Sequence, residues 1–479
     1  MILPDTSLAR RAWWLYAAAV ASSLPTLGFY LVGEEGILVN SSLEMWQRGD
    51  WLHLWMYGVD AQHGVFANWL VILLCSVVGW EHAPGAVRAI MMGSTAAGGL
   101  MLALLTHQLY KNAAQAALTA AITVTFADIL FYRGWLGYRD PLLGMLVFGA
   151  IAALWLAVEQ RRAAWLLGTL LFTAAAFLTK GIIAYAFVGA AVLVFLGQRN
   201  TGARAFLLRP APLVVALVTL SVPFAWAYVV GGNQSHNSRL MAEIADKLAP
   251  LGGLAYLKNL VTYPLETLLR LAPVSLLISW WLYQHRASGA WRAWWTEQPV
   301  RTALTIFAVA YIPFWLAPQN HFRYVLPVLP LLALALAVII FQMGQQSETP
   351  IRTVLRWLWA AVALKLLLAV VAFPLYQHKV RGENYTLTAR AVMQRTVGYP
   401  LFSNDTTAAG LAVTAYLNIL RLPQRALTFA PATWDNGFVI SYSPDAPELR
   451  PAKVVAQYRL AGDVLYLYCR GAACSALVP

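Results

Sequence analysis

From Arg11 to Pro374 the sequence passes again and again through apolar runs separated by short polar links, each run near or above the roughly 17 to 25 residues a helix needs to cross a hydrocarbon core. The runs read approximately 12–32, 87–107, 113–131, 141–158, 163–178, 181–197, 211–230, 264–283, 301–318, 324–342 and 353–374. The pattern predicts an all-α polytopic membrane region of about eleven spans. A single anchored soluble domain is excluded. Composition agrees: 60% of the 479 residues are hydrophobic and 11% charged, against about 25% charged in a typical soluble domain.

The net charge of +13 resembles a nucleic-acid signal until the basic residues are located. With a cytoplasmic N-terminus, the links carrying Lys111, Arg161, Arg162, Arg199, Arg204, Arg209, Arg286, Arg292, Arg352 and Arg356 all fall inside, as the positive-inside rule requires. The charge is topology, and no nucleic-acid partner is expected. A further apolar stretch, 65–80, would reverse every later loop if it crossed; it is read as a re-entrant or interfacial helix. The first apolar run follows Arg10 and Arg11 without a small-residue cleavage site, so it is expected to stay as the first span.

This assignment gathers Glu34, Glu35, Asp50, His53, Asp60, His63, Glu81, Arg133, Arg139, Asp140, Lys180, His236, Lys258, His321 and Arg323 on the outer face. Charges at a membrane boundary are costly unless they pair, face water or bind something. Singly, each is more often an interfacial anchor; together, with both signs present, they predict an outward-facing polar cavity. After Pro374 the composition turns polar, with a helix expected over 408–420 and alternating strand-like runs over 438–442 and 464–468. The expected division is a membrane domain, 1–374, with an outer loop at 33–86, and a small extramembrane α/β domain, 375–479, on the outer side. Cys469 and Cys474 are near enough to close a small loop in an oxidising compartment, a pairing the sequence leaves open. Cys75 is read as packing. No phosphate-cradling glycine loop, paired Cys-x-x-Cys or His-Glu-x-x-His occurs.

Directly after the first span stand Glu34 and Glu35, followed by Gly49-Asp50-Trp51. Paired acids there suit a general base or a cation site, or simply the end of a span. Tyr138-Arg139-Asp140-Pro141-Leu142 opens a later span, Leu178-Thr179-Lys180-Gly181 closes another, and Tyr324-Val325-Leu326-Pro327-Val328-Leu329-Pro330 follows. In order and in topological side these motifs resemble the C-type polytopic glycosyltransferases, the superfamily of protein O-mannosyltransferases and the lipid A aminoarabinose transferase. The likeness covers roughly residues 11–342. It departs at Glu34, where the family has Asp; at Ile37, near the place of an Arg; and at His63-Gly64-Val65, the place of a Lys-Pro-Pro motif.

The resemblance implies a bacterial inner-membrane enzyme with its active site and C-terminal domain in the periplasm. It would move a sugar, with inversion, from a polyprenyl-phosphate donor to lipid A, lipopolysaccharide or another envelope glycan. A protein acceptor is the alternative within the superfamily. A secondary transporter is the rival from another class, but the acids lie at one interface and no repeat is visible. Glu34, Glu35 and Asp140 take the catalytic places, with Glu34 orienting or deprotonating the acceptor. Lys180, Arg139, Arg323 and His63 take the donor phosphate. Trp51, His53, Tyr138, His321 and Tyr324 line the substrate. No cofactor and no metal cluster are expected, with a divalent cation on Glu34, Glu35 and Asp140 as an alternative.

Overall fold

The computed structural model describes residues 5–61, 64–198, 201–231, 252–284, 296–380, 384–460 and 462–475. In chain order its main elements begin with α1 (Asp5–Ala21), α2 (Glu35–Arg48), β1 (Trp55–Met56), β2 (Val59–Asp60), α3 (Phe66–Val78), α4 (Ala83–Tyr110) and α5 (Ala113–Thr125). Next come α6 (Asp140–Gln160), α7 (Ala164–Lys180), α8 (Ile183–Gly197), α9 (Thr201–Leu207), α10 (Pro210–Val229), α11 (Gly253–Arg270) and α12 (Val274–Gln284). The rest are α13 (Gln298–Leu316), α14 (Leu329–Gln346), α15 (Thr349–Leu367), α16 (Tyr385–Arg395), β3 (Leu401–Ser403), α17 (Ala408–Leu420), β4 (Gly437–Ser441), β5 (Lys453–Leu460) and β6 (Asp463–Arg470).

Among the described residues, six helical stretches are long and apolar enough to cross a bilayer, seven with one bent pair, where sequence reading expected about eleven. The six are Trp80–Tyr110, Asp140–Gln160, Pro210–Val229, Gln298–Leu316, Phe322–Gln345 and Thr349–Lys379. The remaining expected runs are helical but shorter: α7 and α8 fill their runs with 17 and 15 residues, whereas at 12–32 and 113–131 apolar sequence continues past the helix end. The first leaves α-helix at Ala21 for a 3₁₀ turn, Leu24–Gly28, and the third stops at Thr125 before a π-turn, Ile129–Arg133. The run 264–283 bends by 105° between α11 and α12. Pro273, at that break, has no N–H to continue the ladder. With 13 residues, α3 is below crossing length.

The chain divides into two compact units. The first comprises Met1–Leu24, Met91–Trp135 and Arg139–Leu366. Its inner helices are α6 and the stretch containing α14, 89% and 83% buried over their apolar windows. The antiparallel pair α6 and α7 is held close by Gly149: a Cβ there would lie 3.2 Å from the Phe172 ring and from Met101 Sδ. By contrast α10 is 11% buried and turns Leu217, Leu220 and Phe224 outward. An apolar surface of this kind, on a helix of crossing length, fits contact with lipid.

The second unit comprises Pro25–Ile90, Leu136–Tyr138 and Leu367–Pro479. Its four-stranded sheet has the order β3-β4-β6-β5, with β3 and β4 parallel and the other pairs antiparallel. The expected helix and strands of the C-terminal region are present as α17, β4 and β6. Cys469 and Cys474 form the disulfide that the sequence left open. Helix α2 packs directly on α17: a Cβ on Gly36 would stand 2.6 Å from the Leu411 carbonyl oxygen. Asn40 Nδ2 donates to that same oxygen at 3.0 Å, and Asn418 Nδ2 donates to Asn40 Oδ1 at 2.9 Å.

Candidate active site

In the second unit, the turn before α2 separates the two glutamates. Gly33 has φ +57°, and a Cβ there would meet Tyr138 Oη at 2.3 Å, so glycine is required on both counts. The Glu34 N–H donates to Tyr138 Oη at 3.3 Å, and that hydroxyl donates to the Val32 carbonyl at 3.4 Å. Glu34 is exposed, and its carboxylate has no hydrogen-bond or ion-pair partner among the described residues. It is free to receive a ligand.

Glu35 points the other way and is fully buried. Its Oε1 accepts from Arg88 Nε at 2.9 Å and from the Gly137 N–H at 2.6 Å, and its Oε2 accepts from the Val32 N–H at 2.7 Å and from Arg88 Nη2. Arg88, equally buried, donates from Nη1 to the carbonyls of Thr26 (2.8 Å) and Phe29 (2.7 Å) and from Nη2 to Tyr30 (2.7 Å). A buried ion pair is tolerable when hydrogen bonds satisfy its remaining donors and acceptors. Glu35 is placed to fix the backbone around Glu34, not to meet a substrate.

The Gly49-Asp50-Trp51 segment ends α2, with Gly49 at φ +66° as its left-handed cap. Asp50 Oδ1 accepts from the N–H groups of Leu52 (3.0 Å) and His53 (3.1 Å), while Oδ2 accepts from Trp55 Nε1 (2.7 Å) and lies 3.0 Å from His53 Nδ1. Partial burial works to raise the Asp50 pKa, but these donors outweigh it and hold the carboxyl below its usual range. The Trp51 carbonyl accepts from Trp69 Nε1 at 2.7 Å, leaving the Trp51 indole exposed.

In the first unit, Asp140 opens α6 and Lys180 ends α7, so each sits at the helix end whose dipole favours its charge. Lys180 Nζ donates to Asp140 Oδ1 at 2.5 Å and stands 5.6 Å from the Tyr324 ring centre. Arg323 approaches the same ring at 5.5 Å, and the His321 ring lies 5.9 Å from it. Half-buried Arg139 directly precedes Asp140. The first unit therefore collects Asp140, Lys180, His321, Arg323 and Tyr324, and the second collects Glu34, Glu35 and Tyr138. His63 lies outside the described residues.

Sequence reading passed over Glu266 and Arg270 inside the run 264–283, and three further ionisable groups inside other apolar runs. Arg88 lies in 87–107. Asp128, in 113–131, is buried between Arg133 Nη1 at 2.6 Å and Arg270 Nη1, and both guanidinium groups lie over Phe322, at 5.7 and 4.9 Å. Lys365, in 353–374, has its Nζ 4.3 Å from the Trp135 ring. A charge inside a span is expensive enough to mark a site on its own, and that rule would have found all three. Among the described residues no group of three or more His, Cys, Asp or Glu side chains could hold a metal ion.

No family model matches the chain. Over 363 residues, 70% of its length, it is 30% identical to the undecaprenyl phosphate-alpha-4-amino-4-deoxy-L-arabinose arabinosyl transferase of Pectobacterium carotovorum, and the match spans 59% of that relative. The fold is similar to that of ArnT from Cupriavidus metallidurans, solved bound to undecaprenyl phosphate, with a TM-score of 0.70 at 16% identity, covering 95% of this chain and 97% of that one. An oligosaccharyltransferase from Archaeoglobus fulgidus is more distant, with a TM-score of 0.53 at 13% identity over 86% of this chain and 64% of that one.

Proposed function

This chain has the fold of the C-type polytopic glycosyltransferase superfamily, and from that premise we propose that it is an inverting glycosyltransferase acting at a membrane surface. It takes a sugar from a polyprenyl-phosphate donor and passes it to an envelope acceptor, first of all lipid A. Support comes from the Pectobacterium relative, an undecaprenyl phosphate-aminoarabinose arabinosyl transferase, and from ArnT of Cupriavidus metallidurans, solved bound to undecaprenyl phosphate. The observation that carries the reading is the pair of consecutive glutamates with opposite fates, one locked and one free.

In this reading the Glu34 carboxylate takes the proton from an acceptor hydroxyl as its oxygen attacks the anomeric carbon. The bond from that carbon to the phosphate oxygen breaks, and polyprenyl phosphate leaves with the electron pair. An acceptor phosphate, already anionic, needs orientation more than deprotonation, and Glu34 then serves that role. Lys180, with Arg139 and Arg323, stabilises the charge growing on the leaving phosphate. Asp140 positions Lys180, as its 2.5 Å contact supports. Glu35 positions Glu34. Tyr138, Trp51, His53, His321 and Tyr324 are assigned to substrate contact.

We assign the protein to the bacterial inner membrane, with residues 33–86 and 375–479 in the periplasm and 1–374 as the transferase region. The basic links and the disulfide support this orientation. The deciding experiment is intact-mass analysis of lipid A and envelope proteins from cells with and without the protein. A sugar-sized mass gained by lipid A only in expressing cells supports the proposal. The same gain on a protein moves the acceptor, and no gain on either overturns it.

A further inference from the structure

At the far end of the first unit lies a basic pocket that sugar transfer does not use. Arg11 and Trp14 of α1 and Arg352, Leu355, Arg356 and Trp359 of α15 line an open pocket of about 730 Å³. It is remote from Lys180 and Tyr324. The turn Phe322–Val328 leads into the 18 residues of α14, which run about 27 Å before α15 begins.

The charges in the pocket are unequal in what they are free to do. Arg352 is already paired with Glu348 one turn back. Arg11 and Arg356 are exposed and have no carboxylate or carbonyl partner among the described residues. Each free arginine is followed, three residues on, by a tryptophan of the same pocket, Trp14 and Trp359, both exposed. On a helix that spacing stacks the indole beside the guanidinium on one face. A layer of arginine over a layer of tryptophan matches the headgroup and carbonyl levels of a bilayer. Two guanidinium forks facing one concavity without counter-charges call for an anion with several oxygens.

We propose that this pocket binds the phosphodiester headgroup of an anionic diacyl phospholipid at the membrane face opposite the transfer site. Arg11 and Arg356 grip the phosphate oxygens, and Trp14 and Trp359 lie against the glycerol and upper acyl region. The other source of a lipid phosphate, a polyprenyl phosphate, carries a single isoprenoid chain and no glycerol and is assigned to the Lys180 end, so the test includes it as a competitor. Binding at the pocket stands apart from the proposed transferase reaction; the choice of competitor rests on it.

The test is native mass spectrometry of the detergent-solubilised full chain titrated with phosphatidylglycerol, phosphatidylcholine or undecaprenyl phosphate. The expected result is saturable binding of phosphatidylglycerol that is weakened at least about ten-fold in the double variant Arg11→Gln, Arg356→Gln. Phosphatidylcholine should not compete. Arg204→Gln, at an exposed arginine outside the pocket, should bind as the unaltered protein does. Arg356→Lys, which keeps the charge, provides a milder variant if the double one does not insert, and should lose affinity through loss of the two-pronged contact. Equal binding in the double variant, equal loss in Arg204→Gln, or displacement of phosphatidylglycerol by undecaprenyl phosphate at equal concentration would each overturn the proposal.

Discussion

Glu35 and Arg88 form an ion pair in which both side chains are 0% exposed, and every oxygen of the one meets a donor while the other also holds three carbonyls. Its neighbour Glu34, one residue away, has a free carboxylate. Substituting each should therefore separate stability from activity. Glu35→Gln leaves a buried guanidinium under-compensated and is expected to cost about 3 to 5 kcal/mol. Glu34→Gln should leave thermal unfolding in detergent unchanged. Equal unfolding temperatures for Glu35→Gln and the unaltered protein would remove the structural role assigned to the pair.

Lys180 and Asp140 form the second test. Losing one charge-assisted contact to a phosphate costs about 1.5 to 3 kcal/mol, so Lys180→Ala should weaken binding of the polyprenyl-phosphate donor by roughly ten-fold to over a hundred-fold. Asp140→Asn, which lets the ammonium drift, should weaken it less. Direct donor titration measures both. Unchanged affinity in Lys180→Ala would exclude it from the phosphate site.

These assignments show what chain order makes legible. The polytopic class follows from the length of the apolar runs, and the C-terminal helix 408–420 and two strands from local hydropathy pattern. The fates of Glu34 and Glu35 do not. They are decided by Arg88, 53 positions away, and by the Gly137 N–H, 102 positions away, which no periodicity reports. Likewise Asp128 meets Arg270 across 142 positions. Helix ends are less legible than the runs themselves: at 12–32 and 113–131 the apolar sequence outlasts its helix.

Asp50 gives a pH prediction. Its folded pKa is depressed, so the stability it contributes is present above the free-chain value and is lost as pH falls through the lowered one. The stability gap between the unaltered protein and Asp50→Ala should be open at neutral pH and close below about pH 4. A gap that persists unchanged in acid would show that the donors around Asp50 do not act through its charge.

Orientation is testable by cysteine labelling at exposed positions. Gln457→Cys should react with an impermeant maleimide in intact spheroplasts, and Ala163→Cys only after the membrane is opened. Labelling of Ala163→Cys from outside would invert the topology.

The free Glu34 carboxylate is the central claim, and the most direct measurement is single-turnover sugar transfer from a polyprenyl-phosphate donor by protein shown to be inserted at normal levels. Glu34→Gln keeps size and hydrogen-bonding capacity but removes charge and basicity, and is expected to slow transfer by about 10²- to 10⁴-fold. Glu34→Asp should retain measurable transfer. A Glu34→Gln protein that transfers at the unaltered rate, with donor and acceptor saturating, would contradict the account.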